Sequence, residues 1–188
     1  MSKIITEDAG KFSQHYPKVA VIITASARGK DSAMTAAWHS SICMKPPLYG
    51  VSISPKRFTY QLIIESREFG INFLPMEKAY LSAAIGGTSG QNIDKFETLN
   101  IEKEKPLKTG APILKDAYAA YECKLVDNKP YGDHIWVVGE IVAVHFIEEA
   151  FSSEEILDLD KIKPLLYLGS DTYATTDKTS ITFIKRGI

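Results

Sequence analysis

The 188-residue sequence predicts one mainly-β domain, an antiparallel barrel with helices at its periphery. Short β-branched or alternating apolar runs recur along the chain, and only two or three segments show helical spacing. Strands do not alternate regularly with crossover helices, which disfavours a doubly wound parallel sheet. Hydrophobic residues make up 45% and charged residues 24%, a balance that excludes a disordered or fibrous chain. At this length one domain over residues 1–188 is expected, with a core that needs neither disulfides nor structural metal.

The first run, Val19 to Ala25, reads as a strand buried on both faces, followed by a turn over Ser26–Ser32. The small residues in Ala33–Cys43 allow close backbone approach by another group. Pro46 and Pro47 punctuate that segment, since neither can donate to a ladder. Leu48–Ser54 reads as a strand. Ser54 as N-cap and Pro55 as first helical residue start a helix over about 56–68, with Phe58, Leu62 and Phe69 in its apolar stripe. Gly70 ends it. Ile71–Leu74 is a short strand stopped by Pro75, and 76–85 is helical. Gly86–Gly90 is a loop and Asn92–Phe96 one helical turn. Ile101–Asp116, charged and with two prolines, reads as a solvated connection or an edge. Tyr118–Val126 is a strand, Lys129–Asp133 a turn, and Ile135–Phe146 a long strand with a bulge at Gly139. Ser152 and Glu155 form a capping box for a short helix.

The charges, 22 basic against 23 acidic, leave a net −1 and no electrostatic reason to expect nucleic acid or an anionic membrane. The apolar stretches are too short to span a bilayer. The first residues show no signal-peptide core, so a cytoplasmic location is expected. Cys43 and Cys123 are expected as buried free thiols. His15, His39, His134 and His145 form no tight ligand pair, so no metal site is expected.

Familiar nucleotide and nucleophile motifs are missing, and Gly86–Gly90 has the wrong spacing for a dinucleotide loop. Three segments instead combine hydroxyls or small residues with a basic side chain: Ser26–Thr35, Ser52–Thr59 and Gly87–Lys95. Hydroxyls, backbone N–H groups and a few cations suit a phosphate monoester, each charge-assisted hydrogen bond contributing about 1.5–3 kcal/mol. Ordinary polar surface turns would read the same way.

The run Ala33-Met-Thr-Ala-Ala-Trp-His-Ser-Ser-Ile-Cys-Met-Lys-Pro-Pro47 resembles the flavin reductase-like, FMN-binding split-barrel family. The likeness continues through Tyr49–Ser54, Thr59, Tyr60 and Ile64, Phe69–Leu74, Gly87–Gly90 and Asp94–Phe96. It extends to Gly132–His134, Gly139–Glu140 and Tyr167–Tyr173, covering about residues 15–175. Trp38 and Gly132-Asp-His134 make it most similar to the flavoredoxin-like branch.

The resemblance implies a six-stranded Greek-key split barrel with FMN at a homodimer interface. Carried over by position, Met34, Thr35, Ala36, Ala37 and Trp38 would run beside the isoalloxazine edge. Ser52, Ser54, Arg57, Thr59, Ser89 and Lys95 would hold the ribityl-phosphate tail. His134 and Tyr167 would lie near the ring, His134 as the candidate catalytic group. Ser32 stands where some relatives carry Asn, so a flavin hydrogen bond there would be shorter or absent. Each residue also has a plainer reading: Trp38 and Tyr167 as packed aromatics, His134 as a turn residue, Lys95 on a solvated helix face, Arg57 paired with Glu65 or Glu68.

The function implied is electron transfer from NADH or NADPH through FMN to a second acceptor: a flavin, a metal or a redox protein. The flavin does the chemistry and the chain positions it. A flavoredoxin-type FMN carrier without a nicotinamide site is the alternative, and a β-scaffold without cofactor the third reading.

Overall fold

The computed structural model describes residues 1–184. The strands in chain order are β1 (Lys18–Val19), β2 (Val21–Ala27), β3 (Lys30–Ala36), β4 (His39–Met44), β5 (Pro47–Ile53), β6 (Glu68–Phe73), β7 (Lys103–Glu104), β8 (Ile113–Leu114), β9 (Ala119–Tyr131), β10 (His134–Phe146), β11 (Leu166–Gly169) and β12 (Thr172–Ala174). Three α-helices, α1 (Phe58–Ser66), α2 (Ala79–Gly87) and α3 (Lys95–Thr98), lie around them.

Seven strands form one antiparallel sheet in the order β3-β2-β6-β9-β10-β5-β4. The sheet curls until β3 approaches β5, but no ladder joins them. The result is a split barrel with seven strands in its sheet rather than six. The extra strand arises because the small-residue run breaks at Ala37–Trp38. Its first half is β3 at one edge of the sheet and its second half is β4 at the other.

β2 is apolar on both faces because it separates two cores. Val21, Ile23 and Ala25 pack inside the curl with Val51, Ile53, Phe69, Ile71 and Val137, under Leu62 and Ile63 of α1. Ala20 and Ile22 face outward against Leu81 and Ile85 of α2 and against Phe96, Leu114 and Leu165. Each fully buried Val, Leu, Ile or Phe side chain among them contributes about 1.5–3 kcal/mol by burial. At Gly139 the β9–β10 register shifts, as the bulge reading expects. A Cβ there would lie 2.5 Å from Phe69 Cζ and 2.8 Å from Cys123 Cβ, so glycine is what lets the Phe69 ring pass under β10.

Several local expectations are corrected. Ser26–Ser32 is not a turn: β2 and β3 run through it, and only Arg28–Gly29 bends. Helix α1 starts at Phe58, three residues late, with Arg57 as an N-cap that makes no side-chain bond. It ends at left-handed Arg67, so Gly70 sits within β6 instead. Helix α2 runs on to Gly87, taking two glycines assigned to the loop. The stretch 101–116 is not simply solvated, because Ile101, Ala111, Ile113 and Leu114 are buried and β7 pairs with β8. β9 continues through the turn expected at 129–133, leaving Gly132-Asp133 as the bend. Ser152 caps a loop rather than a helix, its hydroxyl accepting from the N–H groups of Glu154 and Ile156. Cys123 is buried, but Cys43 is exposed in the β4–β5 hairpin.

No helix among the described residues is long and apolar enough to cross a membrane. Among the same residues no three His, Cys, Asp or Glu side chains converge as metal ligands.

Candidate functional site

Two connected clefts lie where β3 leaves the sheet. The larger, about 350 Å³, is lined by Met34, Thr35, Ala36, Ala37 and Trp38 from the end of β3 and the link to β4. Ser52 and Ser54 from the end of β5, Arg57, His134 and Tyr167 complete the set expected there. Trp38 is half-exposed, so it is a wall residue rather than a core tryptophan. Its ring lies 5.1 Å from that of His134. His134 Nδ1 is 2.8 Å from Asp133 Oδ1, and this hydrogen bond holds the Asp133 carboxyl below its ordinary range.

The smaller cleft, about 80 Å³, shares Met34, Thr35 and Arg57 with the first. It adds Lys56, Thr59, Thr88, Ser89, Gly90 and Lys95. Lys95 is not on a solvated helix face. Only 4% exposed, its ammonium donates to Ala33 O at 2.9 Å and Ile85 O at 2.7 Å. The neighbouring Asp94 is taken up as the cap of α3, accepting from Phe96 and Glu97 N–H groups, and does not pair with it. Burial, helped by the charge of Arg57, lowers the Lys95 ammonium to about 8. Arg57 pairs with neither candidate carboxylate. Glu65 binds Arg28, and Glu68 accepts from Gly110 N–H.

No carboxylate lines either cleft among the described residues. A buried ammonium with no counter-charge is costly, and it gains most from an incoming anion. The smaller cleft therefore suits a phosphate monoester, while the larger offers a slot with aromatic walls for a flat ring.

Of the residues expected in the site, only Ser32 lines neither cleft. It is buried, and its hydroxyl lies 2.9 Å from that of Thr59, so it supports a lining residue from behind. Gly90 matters for the same contact. A Cβ there would stand 2.8 Å from Ser32 Oγ and 2.9 Å from Phe58 Cδ1.

Several lining residues were not anticipated from the sequence. Lys11, Ser13 and Tyr16 reach the larger cleft from the N-terminal segment, and Gly169 and Ser170 from the β11–β12 turn. The Tyr16 hydroxyl accepts the indole N–H of Trp38 at 2.8 Å. Lys11 Nζ donates to Ser170 Oγ at 3.0 Å. No local motif marks Lys11, Ser13 or Tyr16, whereas Gly169 and Ser170 fall within the Tyr167–Tyr173 resemblance without being singled out for the site. They arrive because β1 pairs with β11, bringing the two segments together.

A family model described as "Flavin reductase like domain" matches residues 13–176. A protein of Aeropyrum pernix is 34% identical over 157 residues, 82% of this chain, and the match spans only 58% of that relative's own length. An FMN-binding protein from Thermus thermophilus, solved with bound 1-cyclohex-2-enone, is similar with TM-score 0.86 and 31% identity, covering 98% of this chain and 99% of that one. Flavoredoxin from Methanosarcina acetivorans is similar with TM-score 0.84 and 26% identity, covering 98% and 97%. Matched over every described strand and over all the lining residues of both clefts except Lys11, the chain belongs to the flavin reductase-like family.

Proposed function

We propose that this chain binds FMN and passes electrons from NADH or NADPH to a second acceptor, a flavin, a metal or a redox protein. The observation that carries this reading is the smaller cleft, where Lys56, Arg57 and Lys95 meet hydroxyls and, among the described residues, no carboxylate. The adjoining slot is lined by backbone of Met34–Trp38 and by aromatic rings. This donor set fits a flavin mononucleotide.

In this reading Arg57, Thr59, Ser89 and Lys95 hold the phosphate, with Ser52 and Ser54 along the ribityl chain. Met34 to Trp38 orient the ring by backbone contacts, and Trp38 and Tyr167 exclude water from it. Ser32 acts through Thr59. His134, oriented by Asp133, exchanges a proton with the reactant at the cleft mouth. FMN, when bound, supplies hydride acceptance and onward electron transfer. Cations near the phosphate end and fixed N–H groups near the ring favour added negative charge, the requirement of electrostatic preorganisation.

We read residues 1–188 as one cytoplasmic domain that works as a homodimer, without nucleic-acid or membrane partners. Exposed Ile42 and Met44 on β4, beside a shallow cleft lined by Ser52, Tyr131 and Trp136, support a self-association face next to the site. A monomer of this length has a radius of gyration of roughly 16 Å, and a markedly larger value from scattering is expected.

The likeness to flavoredoxin favours a second reading, an FMN carrier without nicotinamide chemistry. A visible spectrum before and after anaerobic NADH or NADPH separates the two. Flavin bands that bleach support the reductase. Bands that persist support the carrier, and no bands after adding FMN reject both.

A further inference from the structure

The part of the larger cleft lined by Lys11, Ser13, Tyr16 and Ser170 takes no share in the phosphate pocket. We infer that these residues form a subsite for the second reactant, and that this reactant is a planar ring carrying a negative charge. The inference rests on the flavin reading, because it takes the other end of the slot as the cofactor's.

Three observations converge. The first is charge. Lys11 Nζ has a neutral hydroxyl, Ser170 Oγ, as its hydrogen-bond partner, and no carboxylate lines the cleft among the described residues. An anion entering there gains a charge-assisted hydrogen bond without displacing an existing ion pair.

The second is shape. Tyr16 accepts the Trp38 indole N–H and lies 6.0 Å, ring to ring, from Tyr167. The indole is thus held by an atom outside the sheet, and Tyr16, Trp38 and Tyr167 present rings to whatever enters. Aromatic walls of this kind favour a flat partner by offset or edge-on packing.

The third is backbone. Gly169, Ser170 and Asp171 have φ of 104°, 49° and 58°, three successive left-handed residues of which two carry side chains. Such conformations persist where the surroundings impose them, and they gather at ligand sites. Here the turn sets Ser170 against Lys11, and Gly169 packs beside Ser13.

The test uses the full chain loaded with FMN and titrated with benzoate, with benzamide as the neutral match, and with NAD⁺. Flavin absorbance reports binding. In the wild type benzoate binds more tightly than benzamide, and Lys11→Ala reduces that preference about tenfold, the loss of one charge-assisted hydrogen bond. A Lys11-dependent loss for benzoate identifies an aromatic acid as the reactant. A loss for NAD⁺ alone places the charge on the dinucleotide's phosphates rather than on a ring and overturns the inference, as does no loss for both probes. A parallel fall in FMN affinity in Lys11→Ala would place Lys11 in the flavin's own site and also overturn it. Failure of the wild type to take up FMN would defeat the flavin reading separately. The benzoate titration would then be followed on the apoprotein of a Trp136→Phe variant, in which Trp38 is the remaining tryptophan, by fluorescence.

Discussion

Glu122 and Lys95 are both buried charges, and the chain treats them in opposite ways. Glu122 is fully buried on β9 and accepts from the backbone N–H groups of Leu107, Lys108 and Thr109, from the Thr109 hydroxyl and from His145. Burial pushes its carboxyl up, but the hydrogen bonds from His145, Leu107, Lys108 and Thr109 outweigh that and hold it at about 2. Lys95 has two neutral carbonyls and no anion among the described residues. One charge is satisfied within the chain and pins a loop to the barrel. The other is left to be satisfied from outside. A buried charge is therefore evidence of a binding site only when its own chain has not already answered it.

The largest expected effect comes from breaking the satisfied charge. Glu122→Ala removes the shared acceptor of three loop N–H groups, the Thr109 hydroxyl and His145, and is expected to lower stability by about 3–5 kcal/mol, read by chemical denaturation. The same clamp has a pH signature. The carboxyl is depressed from 4.5 to about 2, so its stabilisation is complete above pH 4.5 and is lost as pH falls through about 2. A wild-type denaturation midpoint flat across that window would remove Glu122 from this role.

Lys95→Ala is expected to reverse the pattern, with stability retained and FMN affinity reduced about 10–100-fold. Calorimetric titration of FMN measures this, and unchanged affinity removes Lys95 from the site. Because the free protein's ammonium is lowered to about 8, wild-type FMN affinity should fall as pH rises above that value. Lys95→Arg, which stays charged, should flatten the dependence. Smaller effects sharpen the contrast within the site. Gly90→Ala, which crowds Ser32 and Phe58, is expected to cost about 1–3 kcal/mol of stability. His134→Ala should slow flavin reduction in stopped flow by more than it changes FMN affinity, and equal rates would reject its role.

Which parts of this were legible in the sequence follows from how local their causes are. The two-faced strand read over Val19–Ala25 is present from Val21 onward, with Val19 in β1, and the bulge at Gly139 is present too; both are written in neighbouring residues. The start of α1 misleads because Ser54 and Pro55 look like a cap, yet the β5 ladder holds the chain through Ile53 and the helix waits for Phe58. Residues 101–116 look solvated because their partners lie elsewhere in the chain: Ile101 and Leu114 join the core of Ile22, Leu81 and Ile85, and Glu122, on a strand whose pattern gives no sign of it, anchors the backbone of 107–109. The same holds in the site. Met34–Trp38 and Lys95 carry a family resemblance, whereas Lys11, Ser13 and Tyr16 reach the cleft only through the pairing of β1 with β11.

That pairing also separates the two clefts along the chain. The residues of the smaller cleft all lie between Met34 and Lys95. The slot for the ring needs His134, Tyr167 and Ser170 as well. The smaller cleft is thus built from one continuous stretch of sequence, whereas the larger is completed only where the β11–β12 hairpin meets residues near the start of the chain.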